Sequence, residues 1–141
     1  MTGVGIVVVS HSHALAQSAV DLARELVTGL DVVVEVAAGL DDGGLGTDTG
    51  SILAAIERAA QAPGGRGGVL VLADLGSSIM SAETALELAD PDTAARTRLS
   101  PAPLVEGLIG AYAAAGIGRS LEEVTAEADS AWQAKRGQMS A

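Results

Sequence analysis

Cysteine is absent, which excludes disulfides, thiolate nucleophiles and cysteine metal sites. Phenylalanine is absent too, and the aromatic set shrinks to Tyr112 and Trp132. The core must be built from Val, Leu, Ile and Ala, and the usual platforms for stacking bases or sugar rings are missing. Cations are scarce: 8 Lys and Arg stand against 18 Asp and Glu, a net charge of -10. Nucleic-acid backbones are held by clustered cations, so that class of partner is excluded. No apolar run approaches the roughly 20 residues needed to span a bilayer. No basic residue precedes the first apolar run, so MTGVGIVVVSHSH does not read as a secretory signal. A cytoplasmic, acidic, Ala- and Gly-rich domain without membrane contact is expected.

Apolar residues form 48% of the 141, enough to fill a core, and only 18% are charged, which argues against disorder. The length suits one domain, taken as residues 1–141, with a core over about 3–118 and a C-terminal helix over about 120–136.

Three Val-rich runs that do not alternate with polar residues read as strands buried on both faces: Ile6 to Val9, Val32 to Val36, and Val69 to Ala73. A weaker fourth, Arg96 to Ser100, stops at Pro101 and Pro103. Helical spacing fills the intervals. Leu15, Ala19, Leu22 and Leu26 mark the first helix and Ile52, Ile56 and Ala59 the second. Ile79, Ala82, Leu86 and Ala89 mark the third, and Leu104, Leu108, Tyr112 and Ala115 the fourth. Leu121, Val124, Ala128 and Ala131 mark the last, opened by the capping box Ser120 and Glu123; Gln133 to Ala141 is expected to fray. The order βαβαβαβαα predicts an α/β fold, an open, mainly parallel four-stranded sheet with helices on both faces.

In such sheets ligands gather at the carboxyl ends of strands where the strand order reverses. With strand one central beside strand three, Ser10-His11-Ser12-His13 meets Asp74-Leu75-Gly76-Ser77-Ser78. A carboxylate bonded to one imidazole nitrogen orients the ring and leaves the other as nucleophile. Helix N-termini present unpaired N–H groups that suit a phosphoryl group. Gly76 permits close backbone approach, and Ser12, Ser77 and Ser78 add hydroxyl donors. Neither a P-loop nor a dinucleotide fingerprint is present, so a bound nucleotide is not expected.

Plainer readings of these residues stay open from position alone. His11 also suits a loop or cap, and Asp74 suits an N-cap. His13 falls in the first turn of a helix and reads as solvent-facing. A metal site is not expected, because two histidines lack a third ligand nearby. Gly43, Gly44 and Gly46 followed by Thr47 and Asp48 suit a turn and N-cap.

The segments GIVVVSHSHALAQSAVDLARELV, AAGLDD, LGTD, VLVLADLGSSIMSAETALEL and LSPAPLVEG, in that order, resemble the DhaM family, the phosphotransfer subunits of bacterial dihydroxyacetone kinases. More distantly the chain is similar to mannose-family enzyme IIA domains of the phosphoenolpyruvate phosphotransferase system. The resemblance implies a homodimer in which His11 takes a phosphoryl group from the phosphocarrier HPr while Asp74 bonds the ring. It implies that Ser12, Gly76, Ser77 and Ser78 hold the phosphoryl group, with Thr47 and Asp48 of the LGTD motif in support. It further implies that no cofactor is bound, that the phosphohistidine is transient, and that the group passes to ADP on a separate kinase subunit. Some relatives carry fused carrier domains, and this chain is expected to borrow them. The alternative within the resemblance is a sugar-transport enzyme IIA that passes phosphate to an enzyme IIB. Outside it stands a non-catalytic α/β module with an incidental His11.

Overall fold

The computed structural model describes residues 3–139; of the span expected for the domain, Met1, Thr2, Ser140 and Ala141 lie outside the described residues. The elements run β1 (Val4–Ser10), α1 (His13–Leu26), β2 (Val34–Ala38), α2 (Thr49–Gln61), a 3-10 turn (Pro63–Gly65), β3 (Gly68–Ala73), α3 (Ser77–Leu88), α4 (Pro91–Ala95), β4 (Thr97–Ser100), α5 (Leu104–Gly116) and α6 (Leu121–Gln138). All four strands are parallel, in the order β2-β1-β3-β4. The expected open parallel sheet is therefore present, with β1 and β3 central.

Every residue of β1 and β3 is buried, because helices cover both faces of the sheet. Val4, Ile6 and Val8 of β1 pack with α1, α5 and α6, while Val7 and Val9 pack with α2 and α3. The period-two alternation of a strand sends successive valines to opposite layers. Ile52 and Ile56 of α2 are fully buried. Burying side chains of that size contributes about 1.5–3 kcal/mol each.

The local signals act as read at several points. The capping box at Ser120 and Glu123 opens α6, and Pro101 and Pro103 separate β4 from α5. At Gly65 a Cβ would stand 1.8 Å from the Ala59 carbonyl oxygen, so only glycine fits the turn into β3.

Five expectations are corrected. The strand expected at Val32 to Val36, buried on both faces, lies two residues later, because Val32 and Val33 lead in while Ala37 and Ala38 complete the pairing with β1, and as an edge strand it is only half-buried except at Ala37. The first helix buries Ala16, Ala19, Val20 and Ala23, and leaves Leu15, Leu22 and Leu26 exposed. Both stripes have helical spacing and share Ala19, and the small side chains face the sheet because they let the helix approach closely. Likewise α3 buries Ser78, Ala82 and Ala85 and leaves Ile79 exposed. A short helix, α4, adds an element to the expected order, with Asp90 accepting the Asp92 N–H and Pro91 in its first turn. The polar C-terminal stretch also stays helical as far as Gln138.

Candidate functional site

β1 and β3 end side by side. Val9 pairs with Ala73, and Asp74 N–H continues the ladder to the Val9 carbonyl at 3.1 Å. His11 and Asp74 thus leave the sheet together, at the point where the strand order reverses. The neighbouring backbone is fixed as well: Gly46 N–H donates to the His11 carbonyl at 2.9 Å, and Gly39 N–H to the Ser10 carbonyl at 3.1 Å.

His11 Nδ1 lies 3.1 Å from Asp74 Oδ1 and 3.3 Å from Oδ2, while Nε2 lies 2.9 Å from Ser77 Oγ. Asp74 also accepts from His11 N–H (3.0 Å), Ser10 Oγ (2.9 Å) and Leu75 N–H (2.7 Å). Partial burial pushes the Asp74 carboxyl up. Hydrogen bonds from the Ser78 hydroxyl, His11 N–H, Ser10 hydroxyl and Leu75 N–H outweigh it and hold the group well below the usual carboxylate range. Asp74 is therefore an anion that only accepts, so Nδ1 carries the proton between them. In that neutral tautomer Nε2 has the lone pair and accepts the Ser77 hydroxyl at 2.9 Å.

Each sequence-chosen residue has a definite place. Gly76 precedes α3 at φ 48° and ψ -111°, a conformation open to glycine, and contributes no side-chain cap. Ser77 N–H has no acceptor among the described residues, so it stands free beside the hydroxyl that faces Nε2. Ser78 is buried, with Oγ 3.1 Å from His11 Nδ1. Ser12 Oγ caps α1 by accepting Leu15 N–H at 3.1 Å, a bond that does not use its hydroxyl proton, and its N–H donates to Ser10 Oγ at 3.1 Å. Thr47 Oγ1 meets Ser81 Oγ at 2.8 Å and so ties the loop after β2 to α3. Asp48 is exposed and caps α2, accepting Ser51 N–H at 2.9 Å and Ser51 Oγ at 2.7 Å; those two bonds lower its carboxyl. His13 is exposed and lines a cleft of about 370 Å³ with Leu40, Asp41, Ser51 and Arg58 on the β2 side. Sequence reasoning gave Ser10, though it closes the first strand, no role, and passed over Ser81. Ser10 carried one signal, a polar residue closing a buried valine strand.

Leu15, Leu45, Leu75 and Met80, all exposed, stand in the segments around the ring. A larger apolar cleft of about 550 Å³, lined by Val27, Leu30, Ala113 and Ile117, lies away from this chemistry, among α1, α5 and α6. The His11 side chain is partly exposed, at 28%. Among the described residues no group of three His, Asp or Glu gathers as metal ligands, and no helix is long and apolar enough to cross a membrane.

Residues 5–125 match the family model described as PTS system fructose IIA component, EIIA-man. The chain is 42% identical over 138 residues to the phosphoryl donor subunit DhaM of the PEP-dependent dihydroxyacetone kinase of Escherichia coli (strain K12), covering 96% of this chain but 28% of that protein. It is 34% identical over 124 residues to the phosphoryl donor subunit DhaM of PEP-dependent dihydroxyacetone kinase 2 of Listeria innocua serovar 6a, covering 88% of this chain and 95% of the relative. Among solved structures it resembles a protein described as of unknown function, EF1359, with TM-score 0.79, 29% identity, and 92% and 94% of the two chains covered. A mannose/sorbose-specific IIA subunit from Enterococcus faecalis shares the fold, with TM-score 0.53, 18% identity, and 100% and 95% covered.

Proposed function

The chain belongs to the family described as PTS system fructose IIA component, EIIA-man, and on that premise we propose that it is a phosphoryl donor in a dihydroxyacetone kinase system, carrying the group on His11. The observation that carries the residue assignment is the ring held from both sides, Nδ1 against Asp74 and Nε2 over Ser77.

The donor is phosphorylated HPr, whose phosphoryl group is attached to a histidine. The Nε2 lone pair of His11 attacks phosphorus, and a new P–N bond forms as the donor's P–N bond breaks. The donor imidazole leaves with the electron pair. The ring then carries Nδ1–H and a phosphoryl group on Nε2, and the Asp74 anion stabilises its positive charge. On attack the Ser77 hydroxyl leaves Nε2 and, with the Ser77 N–H at the start of α3, donates to the phosphoryl oxygens. In the second transfer a β-phosphate oxygen of ADP, held on a separate kinase subunit, attacks phosphorus and His11 leaves. The ATP so formed phosphorylates dihydroxyacetone. Catalysis here is positioning plus electrostatics. The exposed Leu15, Leu45, Leu75 and Met80 offer apolar contact to both protein partners.

The test mixes the protein with phosphoenolpyruvate, enzyme I and HPr, then adds either the kinase subunits with dihydroxyacetone or a mannose-type enzyme IIB. Dihydroxyacetone phosphate should form with the kinase subunits and only when His11 is intact. Transfer to the enzyme IIB and never to bound ADP would replace this reading by the sugar-transport one.

A further inference from the structure

We propose that Ser10 is a positioning residue for the phosphoryl acceptor: its hydroxyl pins Asp74 so that the carboxylate holds the His11 ring in one tautomer, with Nε2 unprotonated. The proposal rests on the reading of His11 given above.

Ser10 breaks the pattern of its strand. The preceding residues of β1 are valine, isoleucine and glycine, and Ser10 is as buried as they are, at 0% exposure. A hydroxyl at such a place costs free energy unless it is fully bonded. It is: Oγ–H donates to Asp74 Oδ2 at 2.9 Å, and Oγ accepts Ser12 N–H at 3.1 Å. A serine hydroxyl has one proton, so once it is committed to the carboxylate the direction of the second bond is forced.

The division of the Asp74 oxygens follows. Oδ2 takes Ser10 Oγ–H and His11 N–H; Oδ1 takes Leu75 N–H and the nearer contact of the ring. His11 N–H and Leu75 N–H are backbone groups of the residues flanking the site, and the Ser78 hydroxyl, which also lowers the carboxyl, comes from the first turn of α3. Ser10 Oγ is a side-chain donor supplied by the rigid core of the sheet. Without it Oδ2 keeps a single backbone donor, and the carboxylate is freer to turn about its last torsion. The ring then loses the fixed acceptor that makes Nδ1 the protonated nitrogen. Through Ser12 the same hydroxyl also touches the residue that caps α1, so the ring, the aspartate and the start of α1 share one anchor.

The fold supplies an internal control. At the end of β4, Ser100 is likewise buried, its Oγ donates to Asp129 Oδ1, and it accepts Ala102 N–H at 3.1 Å. Neither histidine bonds Asp129 among the described residues. The two serines make the same local turn, but only Ser10 reaches an imidazole.

The experiment compares Ser10→Ala, Ser10→Thr and Ser100→Ala with the wild type by two readouts. Long-range nitrogen–proton NMR of the imidazole, recorded without any donor, reads the tautomer of His11. Kinetics with phosphorylated HPr give kcat and KM. Expected are a single Nδ1–H tautomer in the wild type and a mixture in Ser10→Ala. The kcat of Ser10→Ala should fall about 10- to 100-fold at unchanged KM, by analogy with the outer partners of metal-bound histidines. Ser10→Thr should restore both, and Ser100→Ala should leave both alone. A folded Ser10→Ala with the wild-type tautomer and rate overturns the proposal. Where Ser10→Ala does not fold, Ser10→Cys, with its weaker donor, carries the same test with the same overturning outcome. A wild type that takes up no phosphoryl group overturns instead the functional reading, and is told apart because the tautomer is measured before any donor is added.

Discussion

Asp74 holds His11 twice, by its backbone N–H at 3.0 Å and by ring Nδ1 at 3.1 Å. The first bond fixes where the residue leaves β1, and the second fixes how the ring is turned. Together they leave Nε2 as the nitrogen available to a partner, and the expected outcomes below start from that relationship.

His11→Ala should abolish phosphorylation by HPr, while His13→Ala should keep most of it. His13 is exposed and lines a separate cleft on the β2 side, whereas the Asp74 contact belongs to His11. Peptide mapping under alkaline conditions, where the P–N bond survives, locates the label. Label on His13 with His11 bare would reverse the assignment.

Asp74→Ala should slow transfer severely, by about 10²- to 10⁴-fold, the range for losing a group that orients a catalytic imidazole. Its far-UV circular dichroism should stay that of the wild type. A variant with full transfer activity would make Asp74 a structural residue only.

The same carboxylate makes stability depend on acid. Its folded value lies below its unfolded one of about 3.9. Its contribution is therefore complete above that unfolded value and is lost as pH falls below it towards the folded one. Urea midpoints at pH 7 and pH 3 should show a smaller acid loss in Asp74→Asn than in the wild type. Equal losses would mean that Asp74 does not contribute in this way.

Gly76→Ala should lose about 1–3 kcal/mol of stability and much of the transfer rate. A Cβ there meets nothing within 4 Å, so the penalty comes from the backbone at φ 48° and ψ -111° rather than from crowding. Denaturant melts and transfer kinetics check the two halves separately, and a neutral substitution would show that the loop readily adopts another conformation.

On α1, Leu22→Gln should change stability by less than about 0.5 kcal/mol, while Ala16→Leu should cost about 1–3 kcal/mol by overpacking. Leu22 is 40% exposed and Ala16 fully buried against the sheet. If the leucine proved the costlier site in solution, its face would have to be covered there, as in the homodimer that the resemblance implies. Sedimentation would then give twice the mass of one chain.

By itself the sequence determined the sheet and where its chemistry lies. Unalternating valines at Ile6 to Val9 and Val69 to Ala73 mark strands covered on both faces, whereas the same pattern at Val32 to Val36 became a half-buried edge strand, so only the tertiary structure set which runs are central. Once β1 and β3 are adjacent, the residues after them, His11 and Asp74, must share one edge. Local signals were equally legible, because Ser120 with Glu123 and Pro101 with Pro103 act within a few residues. Only the tertiary structure decided which stripe of α1 faces inward, since Leu15-Ala19-Leu22 and Ala16-Ala19-Ala23 have the same period and the closeness of helix to sheet chooses between them. It also separated Thr47, which reaches Ser81 across the fold, from Asp48, which only caps its own helix. And it gave Ser10 a role, because the carboxylate that its hydroxyl meets lies 64 positions along the chain, a distance that no local spacing encodes.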